Sequence, residues 1–311
     1  MTSALPVLDG ARVASADHAA RAWHGPSGVP VPIGSDAHKE FFCRMLLDTF
    51  NPYKPAIMDW PKLSEAERRR LVSLPIWDIA VATEGKARLR VLSYASHVAD
   101  PLLGEAIRLN GFEEGRHKEV LSNLVAAYDI AVGPEDPYIA PRDAEWAFMV
   151  TGYSECIDSF FAFGLFEAAR RSGYFPPALV AAFEPVMQEE CRHILFFVNW
   201  AAWHRHNLPW WRKPIFAARV LAVWAFLIWE RVQTARDVGG GNNFTMTGHE
   251  SMGIDLDVVG LTALCLAEND RRLAGYDPRL LRPAVVPRLA RLALRLARRR
   301  AAAPPAAARA E

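Results

Sequence analysis

One word occurs twice in this chain, as Glu113-Glu114-Gly115-Arg116-His117 and as Glu189-Glu190-Cys191-Arg192-His193. Each copy contains Glu-x-x-His, a spacing that puts a carboxylate and an imidazole on one helical face about a turn apart. A single such pair constrains little. Nineteen glutamates and nine histidines yield about half an occurrence by chance. Two copies sharing the full Glu-Glu-x-Arg-His form are far less probable, because each matched position multiplies the improbability.

The surrounding pattern is helical. Ser64, with Glu67 three residues later, is a capping-box start. Four longer helices follow, over about 76–98, 102–128, 143–171 and 176–206. Asp100-Pro101 stops the first, Gly173 caps the third, and Pro185 predicts a kink in the fourth. Residues 214–236, 256–273 and the end of the chain, from 285, read as further helices, with Gly239-Gly240-Gly241 breaking the first of these. No run of alternating β-branched residues competes. The expected class is all-α, divided into an irregular wrapping segment with one helix (1–63), a four-helix body (64–207), additional helices (208–278) and a basic amphipathic helix with its tail (279–311).

The two helices without a copy of the word each carry an acid at a matching height. From Glu84 the chain descends about 14 residues, roughly 21 Å, and climbs back about 13, roughly 19 Å, to Glu114. From Glu155 it descends about 16 residues and returns about 14 to Glu190. Residues 129–142 are long enough, when extended, to cross the length of a bundle. With one Glu from each of two helices and Glu-x-x-His from each of the other two, the chain resembles the ferritin-like di-iron carboxylate superfamily over about residues 76–206.

That resemblance implies a four-helix bundle whose metal ligands are Glu84, Glu114, His117, Glu155, Glu190 and His193. Two Fe(II) ions would cancel the charge of four carboxylates, and oxygen ligands with two imidazoles suit iron, with manganese as the alternative. It also implies that Glu113 and Glu189, preceding the ligand glutamates, hydrogen-bond the opposite imidazoles, with an exposed helix face as the alternative. Asp158 is a candidate further ligand or partner of one. Arg116 and Arg192 either pair with these acids or face solvent. Gly85, Gly115 and Gly152 fit close helix approach, or packing alone, and Cys156 and Cys191 read as small buried hydrophobes. Phe160, Phe161, Phe163, Phe166, Phe196 and Phe197 read mostly as core, with one or two lining a substrate cavity.

By the same resemblance the expected activity is an O2-dependent di-iron oxidoreductase, of monooxygenase, hydroxylase or desaturase type, on an apolar or aromatic organic substrate. No flavin or nicotinamide motif is visible, so electrons would come from an external reductase or ferredoxin. The radical tyrosine of ribonucleotide reductase small subunits is replaced by Leu121, and the additional histidine of arylamine N-oxygenases by Val186. Rubrerythrins need paired cysteines, and ferritin proper is a much shorter chain. Soluble desaturases and hydroxylases remain closest in pattern. A non-catalytic iron-binding or storage protein, and a di-manganese or mixed-metal oxidase or catalase, are the alternatives.

Four scattered cysteines fit reduced thiols in a cytoplasmic compartment, with no disulfide framework. The first residues lack a signal-peptide pattern, and the longest unbroken apolar run, 220–229, is too short to span a bilayer. A formal net charge of +1 argues against a chain built to bind nucleic acid. That near-neutrality is a cancellation: residues 279–311 carry nine arginines and one acid, a net +8, which leaves residues 1–278 at −7. Trp210-Trp211-Arg212-Lys213 before an apolar stretch, and the basic helix after 285, leave open a peripheral contact at the inner face of a membrane through residues 210–229 and 285–300. A fifth packed helix and a solvated tail are the alternatives. His249-Glu250 is a weaker candidate for a lid, and self-association is open.

Overall fold

The computed structural model describes residues 9–53, 60–74, 76–237 and 257–302. Among these residues the chain is all-helical, and its one β-type feature is an isolated bridge between Trp23 and Tyr276. Gly239–Gly241 and His249-Glu250 lie outside the described residues.

Local chemistry sets most helix ends. Helix α1 (Gly10–Ala20) occupies part of the segment expected to be irregular, so the described residues of 1–63 hold two helices, the second being α2 (Asp36–Asp48). The capping box opens α3 (Glu65–Val72), with Ser64 and Glu67 bonding reciprocally. After α4 (Trp77–Ala95), Asp100 caps α5 (Pro101–Ala127), with Pro101 in the first turn, where its missing N–H has no cost. Asp143 caps α6 (Ala144–Ser172) by accepting from the Trp146 N–H at 2.8 Å, and Gly173 closes it at φ 65°, a left-handed position that glycine adopts without strain.

The expected kink at Pro185 is a full break. Helix α7 (Pro177–Ala182) ends at Phe183, and α8 (Glu184–Asn207) starts again with Pro185 in its first turn. Proline has no N–H to continue the ladder, so it opens a new helix instead of bending one. Helices α9 (Lys213–Asp237), α10 (Val258–Leu273) and α11 (Val285–Ala302) complete the described chain.

Four long helices form a closed circuit of contacts, in which α4 touches α5 and α6, and α8 touches α6 and α5. Helix α2 lies over α5 and α8, α9 over α6 and α8, and α10 and α11 over α6. Salt bridges from Arg219 to Asp143 (2.9 Å) and from Arg231 to Asp158 (2.7 Å) tie α9 to α6. Two apolar clusters fill the interior. One gathers Ile107 of α5 with Phe196 and Trp200 of α8, and the other gathers Leu124 of α5 with Phe160 of α6 and Trp77 of α4. Burying each such side chain contributes about 1.5–3 kcal/mol. Along α5, the first copy of the repeated word falls between the two clusters.

No helix is long and apolar enough to cross a membrane among the described residues.

Candidate metal centre

Helices α5 and α8 deliver their repeated words face to face. Glu114, His117, Glu190 and His193 place ligand-capable atoms within 4.8 Å of one another, and this buried group can bind a metal ion. The i, i+3 spacing puts each Glu and His on one face, and the contact between α5 and α8 brings the two faces together.

The imidazoles are held in a crossed arrangement. His117 of α5 donates through Nε2 to Glu189 Oε2 of α8 at 2.9 Å. His193 of α8 donates through Nε2 to Glu113 Oε2 of α5 at 2.8 Å. A carboxylate facing Nε2 can only accept, so a proton sits there and Nδ1 is the ring atom that a cation can reach. Each of those Nδ1 atoms faces acids: His117 Nδ1 lies 3.2 Å from Glu190 and 3.7 Å from Glu84, and His193 Nδ1 lies 2.9 Å from Glu114. Yet none of these approaches is aligned as a hydrogen bond. His117 Nδ1, His193 Nδ1, Glu114 Oε1 and Glu155 Oε1 are buried polar atoms without a hydrogen-bond partner. Leaving such groups unsatisfied costs about 1–3 kcal/mol each, and a shared cation among them removes that cost. The donor set fits a metal.

Glu84 and Glu155 stand at the edges of this group. Glu84 reaches His117 from α4. Glu155 shares with His193 a narrow pocket, without room for a water molecule, whose walls include Phe148, Phe196, Phe197, Asn110 and Thr151. All six ligand candidates are therefore brought to one region.

Both arginines of the repeated word pair with acids, again across helices. Arg192 donates to Glu113 Oε1 at 2.8 Å, to Thr49 Oγ1 at 2.7 Å and to the Leu46 carbonyl at 2.8 Å. Arg116 pairs with Glu189 and donates to the Asn51 carbonyl at 2.8 Å. The end of α2 and the residues after it thus receive both guanidinium groups.

Charge burial sets the protonation of the group. Burial pushes Glu84 up to about 7, against the pull of His117. Burial and the neighbouring Glu114 and Glu190 push Glu155 well above the ordinary carboxylate range. For Glu113, burial acts upward too, but the Arg192 charge and the His193 and Arg192 hydrogen bonds outweigh it and bring the carboxyl down to about 2. The surrounding carboxylates overcome burial at His117 and His193 and raise both imidazoles well above their ordinary value, so a metal ion bound at Nδ1 would displace a proton from each ring.

Asp158 does not join the centre. Its carboxylate accepts from Ser154 Oγ and from Arg231 of α9 at 2.7–2.8 Å, and no ligand candidate is among its partners. One turn beyond Glu155, it takes the cation that α9 offers. Of the aromatic candidates, Phe196 and Phe197 line the pocket, whereas Phe163 and Phe166 pack against the Arg272 guanidinium. Cys156 and Cys191 are free and buried, and burial pushes the Cys191 thiol up to about 12, far from thiolate chemistry. Gly152 admits the Phe197 ring, an atom of which would lie 2.1 Å from an added Cβ.

Asn110 and Thr151 were not singled out by sequence. Both are buried in the pocket wall, and Thr151 Oγ1 has no hydrogen-bond partner. The available signal was their position, each four residues before a ligand candidate, Glu114 and Glu155.

No protein-family model, curated protein or solved structure matches this chain.

Proposed function

We propose that the chain is an O2-dependent di-iron oxidoreductase of monooxygenase or desaturase type, in which α4, α5, α6 and α8 form a ferritin-like four-helix bundle. The observation that carries this reading is the pair of buried Nδ1 atoms, each freed by an Nε2–H···carboxylate bond and each facing acids with which it makes no hydrogen bond. Glu84, Glu114, His117, Glu155, Glu190 and His193 would hold the metals. When bound, a reduced iron pair supplies electrons to O2 and the oxidising power to attack C–H or N–H bonds. Electrons would come from an external reductase or ferredoxin, and the substrate would be an apolar or aromatic organic molecule.

The chain's own residues have distinct tasks. Glu113 and Glu189 keep the proton on Nε2 of each imidazole and fix the ring planes, while Arg192 and Arg116 balance their charge. Phe148, Phe196 and Phe197 keep bulk water from Glu155 and His193. Thr151 can hold a proton at Oγ1 on the wall of the pocket that it shares with Glu155. The absence of thiolate among the donors favours iron or manganese over metals that seek sulfur.

Metal analysis and O2 consumption by the chemically reduced protein test the reading. Two irons per chain and O2 uptake support it. Uptake of many irons per chain would assign storage instead, and manganese with peroxide disproportionation would assign a catalase. Glu114→Ala and His193→Ala should each abolish stoichiometric metal binding with the helical content retained. Full binding by both variants would refute the site.

A further inference from the structure

Helix α11 rests on the body through one side only. Val286, Ala290 and Leu294 pack against the interior cluster beneath α6 and α10. At 100° per residue these three cover one arc of the helix. A second apolar row, Val285, Leu289, Leu292 and Leu296, points outward and is 47–59% exposed. An apolar row that already has a core would be expected to end at the core, yet this helix has two. Beside the outward row run Arg288, Arg291, Arg295 and Arg298, and the helix contains no acid. Arg291 pairs with Asp270, while Arg288, Arg295 and Arg298 have no ion pair among the described residues.

A second exposed apolar face lies on α9, which also rests on α6. Its outward residues from Pro214 to Val232 include Ile215, Leu221, Ile228 and Trp229, all more than half exposed, and Trp210, Trp211 and Arg212 stand exposed before the helix. Contiguous exposed apolar faces mark interaction sites.

We propose that α11 seats the protein on an anionic lipid surface. The charge pattern selects this occupant. Arginines alongside a leucine row match a layer that is negative at its surface and apolar a few ångströms below, the environment that interfacial helices enter. A second copy of the chain would bring arginine against arginine along α11. A nucleic acid would use the arginines and leave the leucines in water. The rest of the chain contributes orientation: residues 1–278 carry a net −7, so an anionic surface repels the body and attracts the basic helix. The docking does not depend on the metal reading.

Co-sedimentation of the full chain with vesicles tests this, comparing phosphatidylcholine alone with an equimolar mixture of phosphatidylcholine and phosphatidylglycerol. The expected result is binding to the mixed vesicles that weakens as salt is raised. Each arginine near such a surface strengthens binding about five-fold, so Arg288→Gln with Arg295→Gln should weaken partitioning about twenty-five-fold. Leu289→Glu with Leu292→Glu should weaken it about ten-fold or more. None of these side chains carries the packing of α11, so circular dichroism and thermal midpoint should match the parent chain. No binding to mixed vesicles overturns the proposal. So does loss in the arginine variant with none in the leucine variant, which would reveal attraction to charge alone. Self-association that the leucine variant dissolves, without vesicle binding, would give the outward row to a second copy and equally overturn it.

Discussion

Glu113 is the residue on which most of the centre's geometry converges. It is fully buried, accepts from His193 and Arg192, and lies 3.5 Å from Arg116. A buried charge without partners would cost several kcal/mol, and here the arginines of both helices remove that cost. Glu113→Gln keeps the shape but removes the charge and weakens the hold on the His193 Nε2 proton. Metal affinity, measured by competition with a chromophoric chelator, should fall about 10–100-fold. Asp158→Asn is the matching control and should leave affinity unchanged, because its partners are Ser154 and Arg231. A large loss in Asp158→Asn would contradict the placement of that acid outside the centre.

At the scale of elements, α6 and α8 meet in a tight fit. Gly152 sits where the Phe197 ring crosses α6, so Gly152→Ala forces that ring out of a filled space. Alanine is about 1 kcal/mol better than glycine in a helix interior, but overpacking costs about 1–3 kcal/mol. Overpacking should win, and denaturant unfolding should register a net loss of stability. The repeated words, the matching acids Glu84 and Glu155, the Ser64–Glu67 box and the Gly173 cap were legible in sequence, because each follows from a local rule of spacing or backbone conformation. Other features depend on a distant partner and left no local trace. Asp158 turns to Arg231, 73 residues away. The break at Phe183 was legible as a proline effect, but its extent was not. Helix α1 was missed because its apolar periodicity is weak and only Ala20 is buried. Thr151 and Asn110 become pocket residues only when α5, α6 and α8 converge.

At the scale of the molecule, the N-terminal segment is clasped to the far end of the chain. The Gly25 N–H donates to the Asp277 carboxylate at 3.2 Å across 252 residues, and the Asp277 N–H donates to the Trp23 carbonyl at 2.8 Å. Hydrogen bonds from Arg279, together with its charge and the backbone N–H groups, hold the Asp277 carboxyl down to about 2. The folded value lies below the unfolded one, so this contribution is complete above about pH 4 and is lost as pH falls toward the folded value. Stability measured by denaturant should therefore fall more steeply between about pH 4 and pH 2 in the parent chain than in Asp277→Asn. Parallel slopes would show that the clasp carries no acid-sensitive stability.

The exchange of acids between α5 and α8 also bears on synthesis. The His193–Glu113 contact joins residues 80 apart in the chain, and the His117–Glu189 contact joins residues 72 apart. When a ribosome has delivered only the first helical pair, Glu113 lacks its imidazole, His117 lacks its acid and half the donors have not yet been made. An ion captured then would be loosely held and readily lost. Durable loading would wait until the second word has been made, so a stable ion count would certify that translation has passed it.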